Sequence, residues 1–401
     1  MAGKYDHTFS PERKAARRYD TPYRSRLLTD QVYREEVFTG EEKKQFVQNF
    51  LDTQRKFYPG PSRYSIFFGE LHGHGCLSDG QPTPDEYYQS IRDRAKLDFA
   101  ALTEHNHGGL AAETLYGPKG DILRDAAIRY NEPGKFSTLF GYEIEAYPYY
   151  SNAVVYHSDH TGEMFRSSVH GDITAEELKA LLAREDRLMV PHDTYQLESG
   201  ADFEWMDPAL FTPLIEIYSR GDSAEYFDNP QNNGLAGMCR GGCWQDALKR
   251  GAKMGCIAAS DDHGMTNGLI TDSDNIDRFP GITGVLCAEN TTESIFKALK
   301  ARRCYGFMGG RMWIDFRING HYMGEEFTTD EDRHIYFNVT ADAPIRRITL
   351  VKNCVDYMFV PKTEYMMFDY HAENECDSYY LRVELTDGRL GWTSPIWIHQ
   401  K

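Results

Sequence analysis

The stretch GELHGHGCLSDG, residues 69–80, follows directly on the apolar run SIFF. In an extended chain the side chains of residues i and i+2 leave the same face, so a strand over 65–74 projects His72 and His74 together from one edge. Asp79 follows on a loop that can turn at Gly80. Two imidazoles at the end of an apolar strand, with a carboxylate close behind, have the form of a metal-binding pincer.

Working outward, other apolar runs end the same way. DFAALTEHNH carries His105, STLFGYEIEA carries Glu143, RLMVPHD carries His192, and GCIAASDDHG carries Asp261 and His263, again two apart. Glu145 shares a face with Glu143 and is its rival at that strand. Between the runs lie helix-like stretches such as TPDEYYQSIRDRAKL and TAEELKALLARED, the second opening with a capping box from Thr174 to Glu177. Strand, ligand and helix in repetition predict an α/β barrel over 63–308, with its site at the carboxyl ends of the strands. The flanking regions read differently. Residues 1–62 are predicted as an N-terminal helical arm, in which Thr39 can cap GEEKKQFVQNFLDTQRKF before the PGP break at 59–61. Residues 309–401 alternate apolar and polar side chains with turns between, as in RMWIDFRING and YYLRVELTD, which predicts a small antiparallel β-sandwich. The Gly/Asn-rich stretch 219–246 is expected to be a long loop near the barrel mouth.

A formal net charge of −17 and a pI near 5.3 set the whole-molecule field against nucleic acid and anionic membrane as partners. No apolar run approaches the ~18–20 residues of a membrane span. The polar start MAGKYDHTFSPERKAARRYD has no apolar signal core, so a cytoplasmic location is expected. The eight cysteines are scattered too thinly for a disulfide scaffold and are expected to be reduced. Cys239 and Cys243 lack the spacing and the second pair of a zinc knuckle.

Gathered at one end of a barrel, His72, His74, Asp79, His105, Glu143, His192, Asp261 and His263 make a mixed imidazole and carboxylate set. Such a set suits Zn, Mn or Fe over a hard oxygen-only cage. Four such groups fill the shell of one ion, so this set predicts at least two, with a carboxylate such as Glu143 bridging.

HGH followed by SDG, then TEH, GYE, PHD and SDDH, in that order, resemble the PHP (polymerase and histidinol phosphatase) superfamily of metal-dependent hydrolases. FFGELHGH, IEIYSRGDSAE, KALKARRCYGFMGG and the terminal WTSPIWI resemble its DUF3604/CehA-like subgroup, which carries a β-sandwich after the barrel. The resemblance implies a distorted (β/α)7 barrel with two or three divalent metals. It places His72, His74, Glu143 and Asp261 on a first ion, Glu143 and His192 on a second, and Asp79, His105 and His263 on a third. The chain departs from the family pattern twice. Tyr150, Ser151 and Asn152 stand where relatives place a second-site histidine, for which His157, His160 or His170 are the available substitutes. Glu104 replaces the usual aspartate beside His105 and is expected to orient that ring.

The expected chemistry is hydrolysis by a metal-activated hydroxide, with Asp79, Glu143, His192 and His263 as candidate catalytic groups and Arg220 as a clamp for an anionic substrate. Phosphoester hydrolysis is the common activity of the family. Cleavage of a carboxylic ester, carbamate or amide on the same site is the alternative, and a non-catalytic metal-dependent binding module is a third. A small molecule, anionic or glycan-related, is the expected partner, and the sequence leaves a homo-oligomer open.

Overall fold

The computed structural model describes residues 58–401 except 107–114, 116, 166–172, 197–199, 220–221, 232–237, 272–278, 361–363 and 370–371, together with helical positions 40, 41, 44, 45, 48, 49 and 52. The rest of the expected N-terminal arm, Arg220 and His170 lie outside the described residues.

Strand β1 (Ser65–Glu70) pairs in parallel with β2 (Phe99–Ala100), and β2 in parallel with β3 (Ser137–Thr138). The crossovers carry helices α1 (Pro84–Gln89) and α2 (Pro118–Tyr130). Thr83 and Glu86 form a capping box at the start of α1, satisfying backbone N–H groups that have no partner within the helix. The next strands, β4 (Gly141–Glu145), β5 (Asn152–His157) and β6 (Arg187–His192), pair antiparallel in that order, and the short link 146–151 leaves no room for a crossover helix between the first two. Helix α3 (Ala175–Leu182) precedes β6 and opens with the expected Thr174–Glu177 box. Strand β7 (Leu214–Ser219) makes a hairpin with β8 (Asp222–Ser223). It pairs in parallel with β9 (Gly255–Ala258) across α4 (Trp244–Lys249). Strand β10 (Gly281–Cys287) lies antiparallel to both β1 and β11 (Cys304–Met308), with α5 (Thr292–Lys300) between β10 and β11.

The strands around the site are therefore divided among three ladders, several of them antiparallel, and do not close into one continuous parallel barrel. The ladders stop where the chain turns side chains into the site. Asp193, just past β6, and Asp261, past β9, have left-handed backbones with φ of 52° and 49°, which a strand cannot continue. Isolated bridges, Gly73 to Asp262 and His105 to Glu143, join neighbouring segments there.

The C-terminal region is the strand-rich layer expected. Strands β12 (Met312–Ile318), β13 (His321–Tyr322), β14 (Glu326–Thr329), β15 (Arg333–Ala341), β16 (Ile345–Lys352), β17 (Val355–Val360), β18 (Glu364–Asp369), β19 (Cys376–Leu385), β20 (Leu390–Thr393) and β21 (Ile396–Gln400) divide between two sheets. One sheet runs β13-β12-β15-β18 and is antiparallel throughout. The other corrects the expectation in two ways: β14 and β21 pair in parallel, and β20 pairs with β11. A single 11-stranded sheet therefore runs from the C-terminal strands through β11 and β10 into β1, β2 and β3. No helix among the described residues is long and apolar enough to cross a membrane.

A buried polar knot fastens this layer to the chain beyond β8. Glu225, 1% exposed, accepts from Arg382 Nε (2.9 Å) and Nη2 (2.6 Å), Trp392 Nε1 (2.7 Å) and Tyr380 OH (2.6 Å). Arg382 Nη1 also donates to Asp356 at 3.0 Å. Removing one partner of such a buried pair strands the other, at a cost of about 3–5 kcal/mol. Glu225→Ala is expected to lower the free energy of urea unfolding by that amount, whereas Arg346→Ala, whose guanidinium is exposed, should change it by less than about 1 kcal/mol.

Candidate metal centre

The two i, i+2 pairs read from the sequence meet face to face. His74 N donates to Asp262 O at 3.0 Å and Asp261 N to His72 O at 2.9 Å, so the HGH and SDDH segments run side by side. Gly73 is required there, because a Cβ would come within 2.5 Å of Asn267 Oδ1 and 2.8 Å of the Tyr87 ring. On the other flank Thr103 N donates to Gly73 O at 3.0 Å, and beyond it Glu143 N donates to Glu104 O at 3.1 Å. Four extended segments thus lie in a row and aim their side chains into one space.

Three overlapping groups result, in each of which the ligand atoms lie within 4.8 Å of one another: His72, His74 and Asp261; His72, Glu143 and His192; and His74, Asp79, His105 and His263. All eight residues singled out in the sequence are present. Glu143 sits at the centre: its Oε1 is 2.7 Å from His192 Nε2, and its Oε2 is 2.6 Å from His105 Nδ1 and 3.3 Å from His74 Nε2. Asp261 Oδ1 lies 2.9 Å from His74 Nε2. Asp79 spans His105 Nε2 and His263 Nε2, at 3.3 Å from each. His74 is sandwiched between the rings of His105 and His263, with centroids 4.1 and 4.2 Å away. The group around His192 differs from expectation in taking His72 as its third member. His157 packs instead against Phe140 and Tyr142, and His160 bonds Thr138. Glu145, the rival of Glu143, is partly exposed, while Glu143 is buried.

The electrostatics suit a cation. His72 Nε2 and His74 Nε2 face each other at 3.2 Å, and the Nδ1 of His72 is engaged by Glu216 at 3.1 Å. In its neutral form, with the proton on Nδ1, His72 would aim a lone pair into the cluster. Burial opposes charge on His72, but Glu216 and Asp261 outweigh it and push its pKa up to about 10; burial pulls His74 down to about 4 against the attraction of Asp261. Burial would likewise protonate Glu143, yet contact with His105, His192 and His72 holds its carboxyl well below the usual range. The Nδ1 atoms of His74 and His192 are buried without a hydrogen bond. Converging imidazoles and carboxylates at these separations can hold metal ions.

Behind the cluster stand groups that the strand-end pattern does not single out. Glu216, inside the apolar run LIEIYS, orients His72; its signal was an acid in the middle of a buried strand. Asp193 lies 3.7 Å from His192 Nδ1. Glu104 does not orient His105. Its carboxylate accepts from the backbone N–H of Gly75 (3.0 Å), Leu77 (3.2 Å) and Ser78 (3.2 Å) and from the Ser78 hydroxyl, so its longer reach clasps the loop that carries Asp79. A cleft of about 250 Å³ opens beside the centre, lined by Asp79, Gln81, Asp262, His263, Thr266 and Phe279 among others.

No family model matches the chain. It is similar to an uncharacterized protein of Chlamydia pneumoniae, 27% identical over 383 residues, which cover 87% of this chain and 60% of the relative. It is also similar to one of Chlamydia trachomatis, 26% identical over 374 residues, which cover 83% and 57%. The chain thus spans about 60% of the length of the curated relatives it matches. Among solved structures, a two-domain protein of Bacteroides vulgatus containing a predicted PHP-like metal-dependent phosphoesterase aligns with a TM-score of 0.44 and 16% identity, over 83% of this chain and 96% of that one. A proposed metal-dependent phosphoesterase of Bifidobacterium adolescentis aligns with a TM-score of 0.30 and 13% identity, over 52% and 91%.

Two tests follow from this geometry. Glu104→Ala should release the Asp79 loop and weaken binding of an ion by Asp79, His105 and His263 roughly 10–100-fold, with binding by His72, His74 and Asp261 retained, as read by calorimetric metal titration. Glu70, just ahead of the pincer, is pushed by burial from 4.5 up to about 8. Its folded pKa is raised, so its contribution to stability is full below pH 4.5 and is lost as the pH rises through 8. In chelator-treated protein, Glu70→Gln should remove a pH-dependent loss on the order of 4–5 kcal/mol from urea unfolding curves across that window.

Proposed function

We propose that the chain is a metal-dependent hydrolase of PHP type that cleaves phosphomono- or phosphodiesters with two or three divalent ions, Mn, Zn or Fe. The observation that carries this reading is the trio of ligand groups linked through the shared His72 and His74 at the edge of a cleft. On this reading the three ladders are a distorted seven-stranded barrel, and the chain belongs with the DUF3604/CehA-like proteins. Divalent ions held there would supply a water acidic enough to act as nucleophile and would polarise the oxygen under attack.

The protein's own part is orientation and proton handling. Glu216 holds the tautomer of His72, while Glu143 stays ionised among its imidazoles and is placed for shared use. Asp79 and His263 are the more exposed members of the cluster, with side chains 41% and 25% accessible, and they line the cleft. They are therefore the pair suited to exchange a proton with a bound substrate or leaving group. His263 Nδ1 lies 3.1 Å from the Asp261 carbonyl, which favours the proton on Nδ1 and leaves Nε2 toward Asp79. One observation favours carbonyl chemistry as a second reading. The described lining of the cleft contains no lysine or arginine, so those residues offer a phosphoryl group no cation beyond bound ions.

The test is elemental analysis of the purified protein, alongside turnover of p-nitrophenyl phosphate, bis(p-nitrophenyl) phosphate and p-nitrophenyl acetate with and without added Mn or Zn. Two or three ions per chain with metal-dependent cleavage of a phosphate ester are expected. Cleavage of the acetate alone would select the carbonyl reading. His74→Ala should lose at least one ion, and kcat/KM should fall by more than the roughly 10–100-fold typical of losing a partner behind a ligand. Fewer than one ion per chain after reconstitution, without turnover, would overturn the hydrolase reading.

A further inference from the structure

On the far side of β9 from the metal centre, a lysine amine lies against a thiol. Lys253, between α4 and β9, places Nζ 3.0 Å from Sγ of Cys376, the first residue of β19, and 3.0 Å from Glu326 Oε1 on β14. That approach is closer than the ~3.5–4.0 Å at which non-bonded carbon atoms rest. The lysine is held there from a second side, its Nζ lying 5.5 Å from the centre of the Trp397 ring. Both residues are partly exposed, so a small oxidant can reach them, and Cys376 forms no disulfide.

We propose that Lys253 and Cys376 are an oxidative modification site at which peroxide joins the two side chains covalently. The Cys376 thiol gives its proton to solvent and the thiolate attacks hydrogen peroxide; an S–O bond forms, the O–O bond breaks, and the departing hydroxide takes a proton back from solvent, so the products are a sulfenic acid and water. The Lys253 amine, once its ammonium has lost a proton to solvent past the Glu326 carboxylate, attacks that sulfur. An N–S bond forms and the S–O bond breaks, and the leaving oxygen departs as a second water. Sulfur is oxidised by two electrons and one peroxide is reduced to two waters, so the step balances without further reagents. Sulfenic acids condense with nearby nitrogen in this way when the geometry is preset, and here the two atoms are already in contact. The link would tie the start of β9, whose other end leads into Ser260 and Asp261, to the C-terminal layer.

The test is peptide mapping of the full chain loaded with zinc, a metal without redox chemistry of its own, before and after hydrogen peroxide, with free thiols then alkylated. A peptide pair joined through Lys253 and Cys376, two hydrogens lighter than the separate peptides and parted by dithiothreitol, is the expected result. The same pair with one oxygen retained, from a second peroxide, supports the site equally. Cys376→Ser and Lys253→Arg should each abolish the pair, together with the rise in unfolding temperature that the crosslink brings. Recovery of Cys376 alkylated, in a disulfide, or as sulfinic or sulfonic acid, with Lys253 unmodified, would overturn the proposal. That mapping on the unsubstituted chain decides the matter even if a variant fails to fold.

Discussion

The fold around the site depends on one carboxylate. Glu143 is fully buried, where an ionised group without partners would be severely penalised, and it is held charged by imidazoles from the HGH segment, the TEH segment and the end of β6. None of these is near it in sequence. Their convergence obliges β1, β2, β4 and β6 to end in the same place, and it explains why regular ladders give way to single bridges at that point. A set of converging lone pairs is poor for stability by itself. Cations bound there would make it favourable, and folding would then be coupled to metal binding.

A second layer of charge makes the arrangement rigid. Glu216 behind His72, Asp193 beside His192 and Glu104 inside the Asp79 loop each fix a group that would otherwise have several rotamers or backbone paths. Glu104 shows how a small change in side-chain length redirects a role. One methylene more than aspartate lets its carboxylate reach three backbone N–H groups of the loop, so it shapes the loop and leaves His105 to Glu143 and Asp79. The same logic operates at larger scale in the knot of Glu225, Arg382, Trp392 and Tyr380. It joins the chain beyond β8 to the C-terminal sheets and makes the strand-rich layer part of the scaffold that holds the site.

The clustered imidazoles and carboxylates were legible in the sequence as candidates because strand periodicity carries them: His72 with His74, and Asp261 with His263, sit two apart at the ends of apolar runs, where alternation sends both side chains one way. The helix start at Thr174 was equally plain, since a capping box is local chemistry. Strand direction was not legible. An apolar run of five or six residues reads the same in a parallel crossover as in a meander, and only the pairing of β4, β5 and β6 shows which was formed. The sharing of His72 between two ligand groups was hidden for a similar reason, because it depends on where β6 ends relative to β1. The sequence by itself determined which atoms can bind a cation and the secondary elements that present them, through backbone geometry and side-chain chemistry acting over a few residues. The tertiary structure alone decided how those atoms are grouped, which carboxylate orients which ring, and that one sheet runs through both halves of the chain. Each of these depends on distances between segments far apart in sequence, and those distances are set only when the whole core packs.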